Sequence, residues 1–148
     1  MKRIIDYRNL FGVKHDVELA ELKTKYRNLM KDYHPDKILD DESRKAQAEV
    51  MSKKIIEGYH FLVSISPETH AQNIDEYTEI TNSNIIEDFE YKGQTLKIIF
   101  HDKSSYEYFG VPRNVYIKLV NSSTRSRFAR RHIYHEYPFR NVKKKINE

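Results

Sequence analysis

The stretch that decides the first half of the fold is residues 16–37, which read DVELAELKTKYRNLMKDYHPDK. Its apolar side chains recur every three or four residues, the spacing of one helix face, at Leu19, Leu22, Tyr26, Leu29 and Tyr33. Asp16 is a favourable N-cap. Pro35 ends the pattern because it has no backbone N–H and disfavours helical geometry at His34. The stretch therefore predicts an amphipathic helix that ends near Tyr33.

A second helix follows and is expected to pack against the first. It begins around residues 41–43, ends at Pro67, and carries apolar residues at the same spacing, namely Met51, Ile55, Tyr59 and Leu62. A short helix over Tyr7 to Phe11 precedes the pair. Two apolar-striped helices joined by a short polar segment pack antiparallel. Residues 1–67 are thus predicted to form an all-α domain, a helical hairpin with His34-Pro35-Asp36-Lys37 at its tip.

The apolar pattern changes after the hairpin. Residues 68–84 are polar and acidic without a clear period, which predicts a linker. Alternating apolar residues then predict three short strands, over residues 85–91, 96–100 and 106–108, with turns between them.

Two helices are expected after the strands. Pro112 stands where helices often begin, and a helix that carries Phe128 and Ile133 should be capped by Ser122 or Ser123. Residues 85–148 are therefore predicted to form a small α+β domain with a three-stranded antiparallel sheet, two helices and a basic tail.

Composition narrows the classes of function. The 148 residues include no Cys, so neither a disulfide framework nor a thiolate metal site is expected, and a cytoplasmic location is predicted. The charged start lacks the apolar run of a signal peptide, and no membrane-spanning stretch is apparent. His132, His135 and Glu136 lack the pattern of a metal site. With no phosphate-cradling glycine loop or nucleophile motif, no enzymatic activity and no cofactor are predicted.

The hairpin resembles the J-domain family over about residues 5–69. The resemblance rests on Asp6-Tyr7, Phe11-Gly12-Val13, Tyr26-Arg27, Tyr33-His34-Pro35-Asp36-Lys37 and Ser66-Pro67-Glu68. It implies that the protein binds a DnaK-type chaperone and stimulates its ATPase. The alternative is a plain helix pair in which His34-Pro35-Asp36 only breaks one helix and caps a turn.

The resemblance also implies which residues bind the chaperone. His34, Pro35 and Asp36 would trigger ATP hydrolysis, and Arg27, Lys31 and Lys37 would supply positive charge, to which Lys23 adds. Asn28 and Asp32 occupy positions that are often basic in the family, so the positive stripe is thinner. A weak or selective trigger is therefore expected.

The second domain resembles the KTSC family, with a Tyr-x-Tyr motif at Tyr106 and Tyr108 followed by Gly110-Val111-Pro112. RNA binding is the function usually suggested for that family. Residues 85–148 hold 13 basic and 7 acidic residues, a net charge of +6. An RNA site would combine the two tyrosines, as stacking rings, with Arg113, Arg125, Arg127, Arg130 and Arg131. The alternative is that both tyrosines are core residues and the arginines a solvated surface.

Two hypotheses of function follow. The first is a co-chaperone that stimulates a DnaK-type ATPase and recruits it, through the second domain, to a specific client or site, with an RNA or a ribonucleoprotein as the candidate client. The second is an RNA-binding protein whose J-like scaffold no longer stimulates ATP hydrolysis. The sequence leaves the oligomeric state open.

Overall fold

The computed structural model describes residues 2–33, 42–83 and 85–142, which fall into two compact units. One unit runs from Lys2 to Ala71 and is helical. The other begins at Gln72 and combines helices with a four-stranded antiparallel sheet. The predicted fold class, an all-α domain followed by a small α+β domain, is confirmed.

Helices α1 (Lys2–Phe11), α2 (Leu19–Tyr33) and α3 (Glu42–Ile65) build the first unit, and a short α4 (Pro67–Gln72) follows. Helix α2 packs along α3, and α1 contacts both. The core between them is formed mainly by buried aliphatic and aromatic side chains, including Ile4, Phe11, Leu22, Ile55, Phe61 and Leu62. Of the stripe that predicted α2, Leu22 is buried and Tyr26 packs against α3, whereas Tyr33 at the end of the helix is exposed.

Aromatic contacts fix the spacing of these helices. Tyr26 of α2 stacks on Tyr59 of α3 with ring centroids 4.3 Å apart. Tyr7 of α1 meets Phe61 of α3 at 5.2 Å. Gly58 is buried beneath α1, and a Cβ atom there would lie 2.7 Å from Cδ1 of Tyr7. Each aromatic pair contributes about 0.5–1.5 kcal/mol beyond its buried area, so the hairpin is held as a rigid body.

The start of α2 differs from the prediction that Asp16 caps it. The helix begins at Leu19, and the Leu19 backbone N–H donates to Oε1 of Glu68, 3.0 Å away. A carboxylate from the far end of the unit therefore satisfies a donor in the first helical turn, where negative charge is also favourable.

Residues 68–84 are predicted to be a linker, but the described part of that range, residues 68–83, is mostly helical. It contains most of α4 and then α5 (Ile74–Ser83), and Tyr77 and Ile80 of α5 are buried in the core of the second unit. Only two apolar side chains, three positions apart, mark the buried face of this ten-residue helix. That pattern was too short to stand out among Asp75, Glu76 and Glu79.

The sheet consists of β1 (Ile86–Lys92), β2 (Thr95–Phe100), β3 (Ser105–Phe109) and β4 (Phe139–Asn141). The strands pair in sequence order, β1-β2-β3-β4, and all neighbours are antiparallel. The turn between β1 and β2 places Gly93 and Gln94 at φ of 55° and 63°, the geometry of a two-residue hairpin loop.

The fourth strand, β4, is absent from the prediction because it has only three residues. Two contacts hold it against β3: Arg140 Nε donates to Oε1 of Glu107 at 2.8 Å, and the paired residues Tyr108 and Phe139 bring their rings to 5.9 Å. Opposite charges directly across two strands favour such pairing.

Helices α5, α6 (Arg113–Asn121) and α7 (Arg125–His132) supply the apolar residues that cover one face of the sheet. The inward positions of β2 are Leu96, Ile98 and Phe100, all fully buried. The alternation of the strands therefore fixes which face forms the core.

Thr124, and not the predicted Ser122 or Ser123, occupies the N-cap position of α7.

A hydroxyl network lies at the centre of this core. The Tyr77 hydroxyl donates to the backbone carbonyl of Tyr134 at 2.7 Å. Since that uses its only proton, the Tyr108 hydroxyl donates to Tyr77 across 2.9 Å. The Tyr134 hydroxyl is buried and has no hydrogen-bond partner among the described residues.

Burial in this core makes the second unit sensitive to alkaline pH. It raises the pKa of Tyr106 to about 12 and raises the pKa values of Tyr77, Tyr108 and Tyr134 as well. An unfolded tyrosine ionises near pH 10, so the unfolded state loses protons first as the pH rises. The stabilisation is complete below about pH 10 and is lost above it.

We expect the thermal midpoint of the second unit to fall steeply between about pH 10 and about pH 12. The ultraviolet absorbance of tyrosinate should rise in the same step as near-ultraviolet circular dichroism is lost. In Tyr134→Phe, which removes a buried hydroxyl without a partner, the midpoint at about pH 11 should be higher than in the wild type. Ionisation of all the tyrosines near pH 10 with the fold intact would contradict the prediction.

Candidate functional site

The exposed side of α2 carries the basic residues that the sequence assigns to chaperone binding. Lys23, Arg27 and Lys31 are all exposed and follow one another at four-residue intervals. Four-residue spacing keeps side chains on one face of a helix, and three such positions span about 12 Å. We call these three residues the basic stripe.

Packing on the other side of α2 determines where the basic stripe points. Leu22 is completely buried, and Tyr26 is held against Tyr59 of α3. Because those two side chains face the core, the positions one residue after each, Lys23 and Arg27, face solvent. The hairpin thus presents a fixed row of cations.

The charges of the basic stripe are available to a partner. None of its three residues forms an ion pair with another residue in the described ranges 2–33, 42–83 and 85–142. Asn28 and Asp32 are also exposed and lie beside the stripe, so one carboxylate reduces the positive field at its C-terminal end. At physiological salt this field decays over about 8 Å, so it acts mainly on a partner that comes close.

The predicted trigger residues lie outside the described residues. His34, Pro35, Asp36 and Lys37 follow directly on Tyr33, the last residue of α2. The basic stripe therefore runs along the same helix toward the position in the chain where the trigger sequence begins.

The second domain does not bring together the predicted RNA site. Tyr106 and Tyr108 are 3% and 0% exposed and belong to the core, so their rings are not free to stack on bases. The predicted stacking role is wrong, because inward positions of β3 are covered by α5 and by Phe139. The alternative interpretation, that both are core residues, is correct.

The predicted arginines divide into separate groups. Arg125, Arg127 and Arg130 line one hollow, whereas Arg131 lines another together with Lys118. Arg113 is exposed at the start of α6 and lines neither. The residues described contain no group of three His, Cys, Asp or Glu side chains that could hold a metal ion. No helix within them has the length and apolar character needed to span a membrane.

Comparison with curated proteins finds similarity to J-domain chaperones. The chain is 37% identical over 73 residues to the chaperone protein DnaJ of Mesomycoplasma hyopneumoniae, which is 49% of this chain and 19% of that protein. It is 44% identical over 59 residues to the chaperone protein DnaJ of Hydrogenobacter thermophilus, covering 40% and 15%. A DnaJ homolog subfamily C member 7 homolog of Dictyostelium discoideum is 45% identical over 58 residues, covering 38% and 11%. The chain thus spans less than a fifth of the length of these relatives.

Family models match both units. The model of the DnaJ domain matches residues 6–72, which include the second half of α1 and all of α2, α3 and α4. The model of the KTSC domain matches residues 82–137, from the last residues of α5 to just before β4. Together with the helical hairpin and the α+β unit, these matches show that the chain carries a DnaJ domain over residues 6–72 and a KTSC domain over residues 82–137.

Proposed function

We propose that this protein is a cytoplasmic co-chaperone, without catalytic activity of its own, that stimulates the ATPase of a DnaK-type chaperone. In this proposal the basic stripe docks on an acidic surface of the chaperone and His34-Pro35-Asp36 triggers hydrolysis. The KTSC domain recruits the chaperone to a specific client or site.

The observation that carries the proposal is the placement of the basic stripe on a rigid hairpin. Its three cations are exposed, have no ion-pair partner among the described residues, and are held in one row by the packing of Leu22 and Tyr26. Because the three cations stand on a folded helix, docking requires no backbone ordering, and their charge steers the approach of an acidic partner. The match to the DnaJ domain supports a DnaK-type partner.

The proposal is tested by single-turnover hydrolysis of ATP by the DnaK-type chaperone of the host. Preformed complexes of chaperone and radiolabelled ATP are mixed with increasing amounts of this protein, and the rate is measured. We expect a saturable increase in rate. If no DnaK-type chaperone of the host responds at any protein concentration, the proposal is wrong.

The basic stripe gives a second, graded prediction. Replacing Arg27 and Lys31 together by Glu reverses the charge of two positions and should raise the concentration for half-maximal stimulation by about tenfold or more at low salt. The effect should shrink as salt is added. Lys53→Glu combined with Lys54→Glu also reverses two exposed charges, on α3; this Lys53 variant is the matched control and should leave that concentration within about twofold of the wild type.

Equal effects of the stripe variant and the Lys53 variant would show that net charge, not the stripe, governs docking. The maximal rate at saturation should be nearly unchanged in both, because the stripe is proposed to bind and not to trigger. A lowered maximal rate in the stripe variant would contradict that division of roles.

The alternative of an RNA-binding protein with an inactive J-like scaffold is not favoured. It relied on Tyr106 and Tyr108 as stacking surfaces, and both are buried. We therefore do not propose an RNA client.

A further inference from the structure

A concave surface lies beside the start of α7 in the KTSC domain. The hollow has a volume of about 650 Å³. Its lining consists of three arginines (Arg125, Arg127 and Arg130), the hydroxyl residues 122–124 and 126, and Ile86. We call it the arginine hollow.

The arginine hollow concentrates positive charge. No carboxylate is among its lining residues. The guanidinium groups of Arg127 and Arg130 form no ion pair with any residue that the structure describes. Three cations around one concavity repel one another, and an anion placed between them relieves that repulsion.

Arg125 is held in place before any ligand arrives. Its Nη2 donates to the backbone carbonyl of Val120, 3.1 Å away, near the end of α6. Its guanidinium carbon also lies 5.5 Å from the ring centroid of Phe89. One of the five guanidinium donors is used in this way, so others remain for a ligand. The backbone N–H of Ile86 donates to Ser126 Oγ at 3.4 Å, which ties β1 to the wall formed by α7.

The chemistry of the lining identifies the class of ligand. Guanidinium groups bind phosphate oxygens through paired hydrogen bonds, and hydroxyl groups add further donors. The lining contains no aromatic side chain on which a nucleobase could stack. One guanidinium group can pair with two oxygens of a phosphate group, so three arginines can hold more than one phosphate group. We propose that the arginine hollow binds the diphosphate group of a small phosphorylated molecule.

The full-length protein, labelled with 15N, provides the test. Inorganic pyrophosphate is titrated in at constant ionic strength, with sodium chloride as the reference, and backbone amide shifts are followed. We expect saturable shifts concentrated in residues 122–130 and in Ile86. A nucleoside diphosphate should bind with similar affinity, because the lining offers nothing that would recognise the base.

Variants separate the hollow from the general basic surface. Arg127→Ala combined with Arg130→Ala should weaken pyrophosphate binding by about tenfold or more, since each removes a charge-assisted hydrogen bond. Replacing both arginines by Lys keeps the two charges but removes the planar guanidinium groups, so it should weaken pyrophosphate binding less than the Ala replacements do. Arg113→Ala combined with Lys118→Ala removes two exposed charges from α6, outside the hollow; this Arg113 variant is the matched control and should bind like the wild type. All are surface changes, and unchanged spectra in the absence of ligand verify that they fold.

Three results would overturn the proposal. The first is the absence of saturable shifts with pyrophosphate. The second is equal loss in the Arg113 variant, which would mean diffuse attraction. The third is a nucleoside diphosphate, or an oligoribonucleotide without a terminal diphosphate, that binds the same residues more than about tenfold tighter than pyrophosphate does. The hollow would then recognise a group other than the diphosphate.

Discussion

Replacing His34 by Gln should abolish the stimulation of the chaperone's ATPase, reducing a rate increase of about tenfold or more, equivalent to at least about 1.4 kcal/mol of transition-state stabilisation, to the basal rate. Pro35 restricts the backbone of His34 and so limits the directions in which its side chain can point. An imidazole ring has few rotatable bonds and loses little entropy when it docks, whereas a Gln side chain has one more and lacks the ring. The measurement is single-turnover ATP hydrolysis at saturating co-chaperone.

Two controls separate triggering from docking and folding. The thermal midpoint of the DnaJ domain should not change, because its core is formed by Leu22, Ile55 and Phe61, which His34→Gln does not alter. The variant should still compete with the wild-type protein for the chaperone, because the basic stripe is intact. Retention of more than about half of the stimulation would show that His34 is not the trigger.

In the DnaJ domain, the sequence predicted helix α2 but not the group that caps its N-terminus. The spacing of Leu19, Leu22, Tyr26 and Leu29 predicted α2 because a helix buries one stripe and solvates the other. The family resemblance named Lys23, Arg27 and Lys31, and the structure shows that all three are exposed. The N-terminal cap could not be predicted, because the acceptor for the Leu19 N–H comes from Glu68, 49 residues away.

In the KTSC domain the local pattern predicted the strands but misled about function. The alternation in β2 and β3 identified inward and outward positions. Tyr106 and Tyr108 were candidates for stacking because a tyrosine pair on one strand face looks the same whether solvent or another element covers that face. The cover is α5, whose burial depends on partners that lie 29 or more positions later in the chain, such as Tyr106 and Tyr108.

Tyr77→Ala is the change that tests whether α5 is part of the KTSC domain. Tyr77 is 3% exposed, stacks on Phe139 with ring centroids 4.1 Å apart, and makes two hydroxyl hydrogen bonds. Loss of a buried aromatic ring costs about 3–5 kcal/mol. A domain of this size has a free energy of unfolding of about 5–10 kcal/mol. Tyr77→Ala should therefore leave the KTSC domain barely stable without affecting the DnaJ domain.

Urea denaturation followed by NMR gives the free energy of unfolding of each domain in the same full-length molecule. Tyr77→Ala should lower it in the KTSC domain and leave the DnaJ domain unchanged, because the two form separate compact units. Tyr77→Phe keeps the ring and loses only the hydroxyl bonds, so it should cost about 1–3 kcal/mol. Thr78→Ala, at an exposed position of the same helix, should cost less than about 0.5 kcal/mol. If Tyr77→Ala were as mild as Thr78→Ala, α5 would be a linker after all, and residues 68–84 would join the domains without stabilising either.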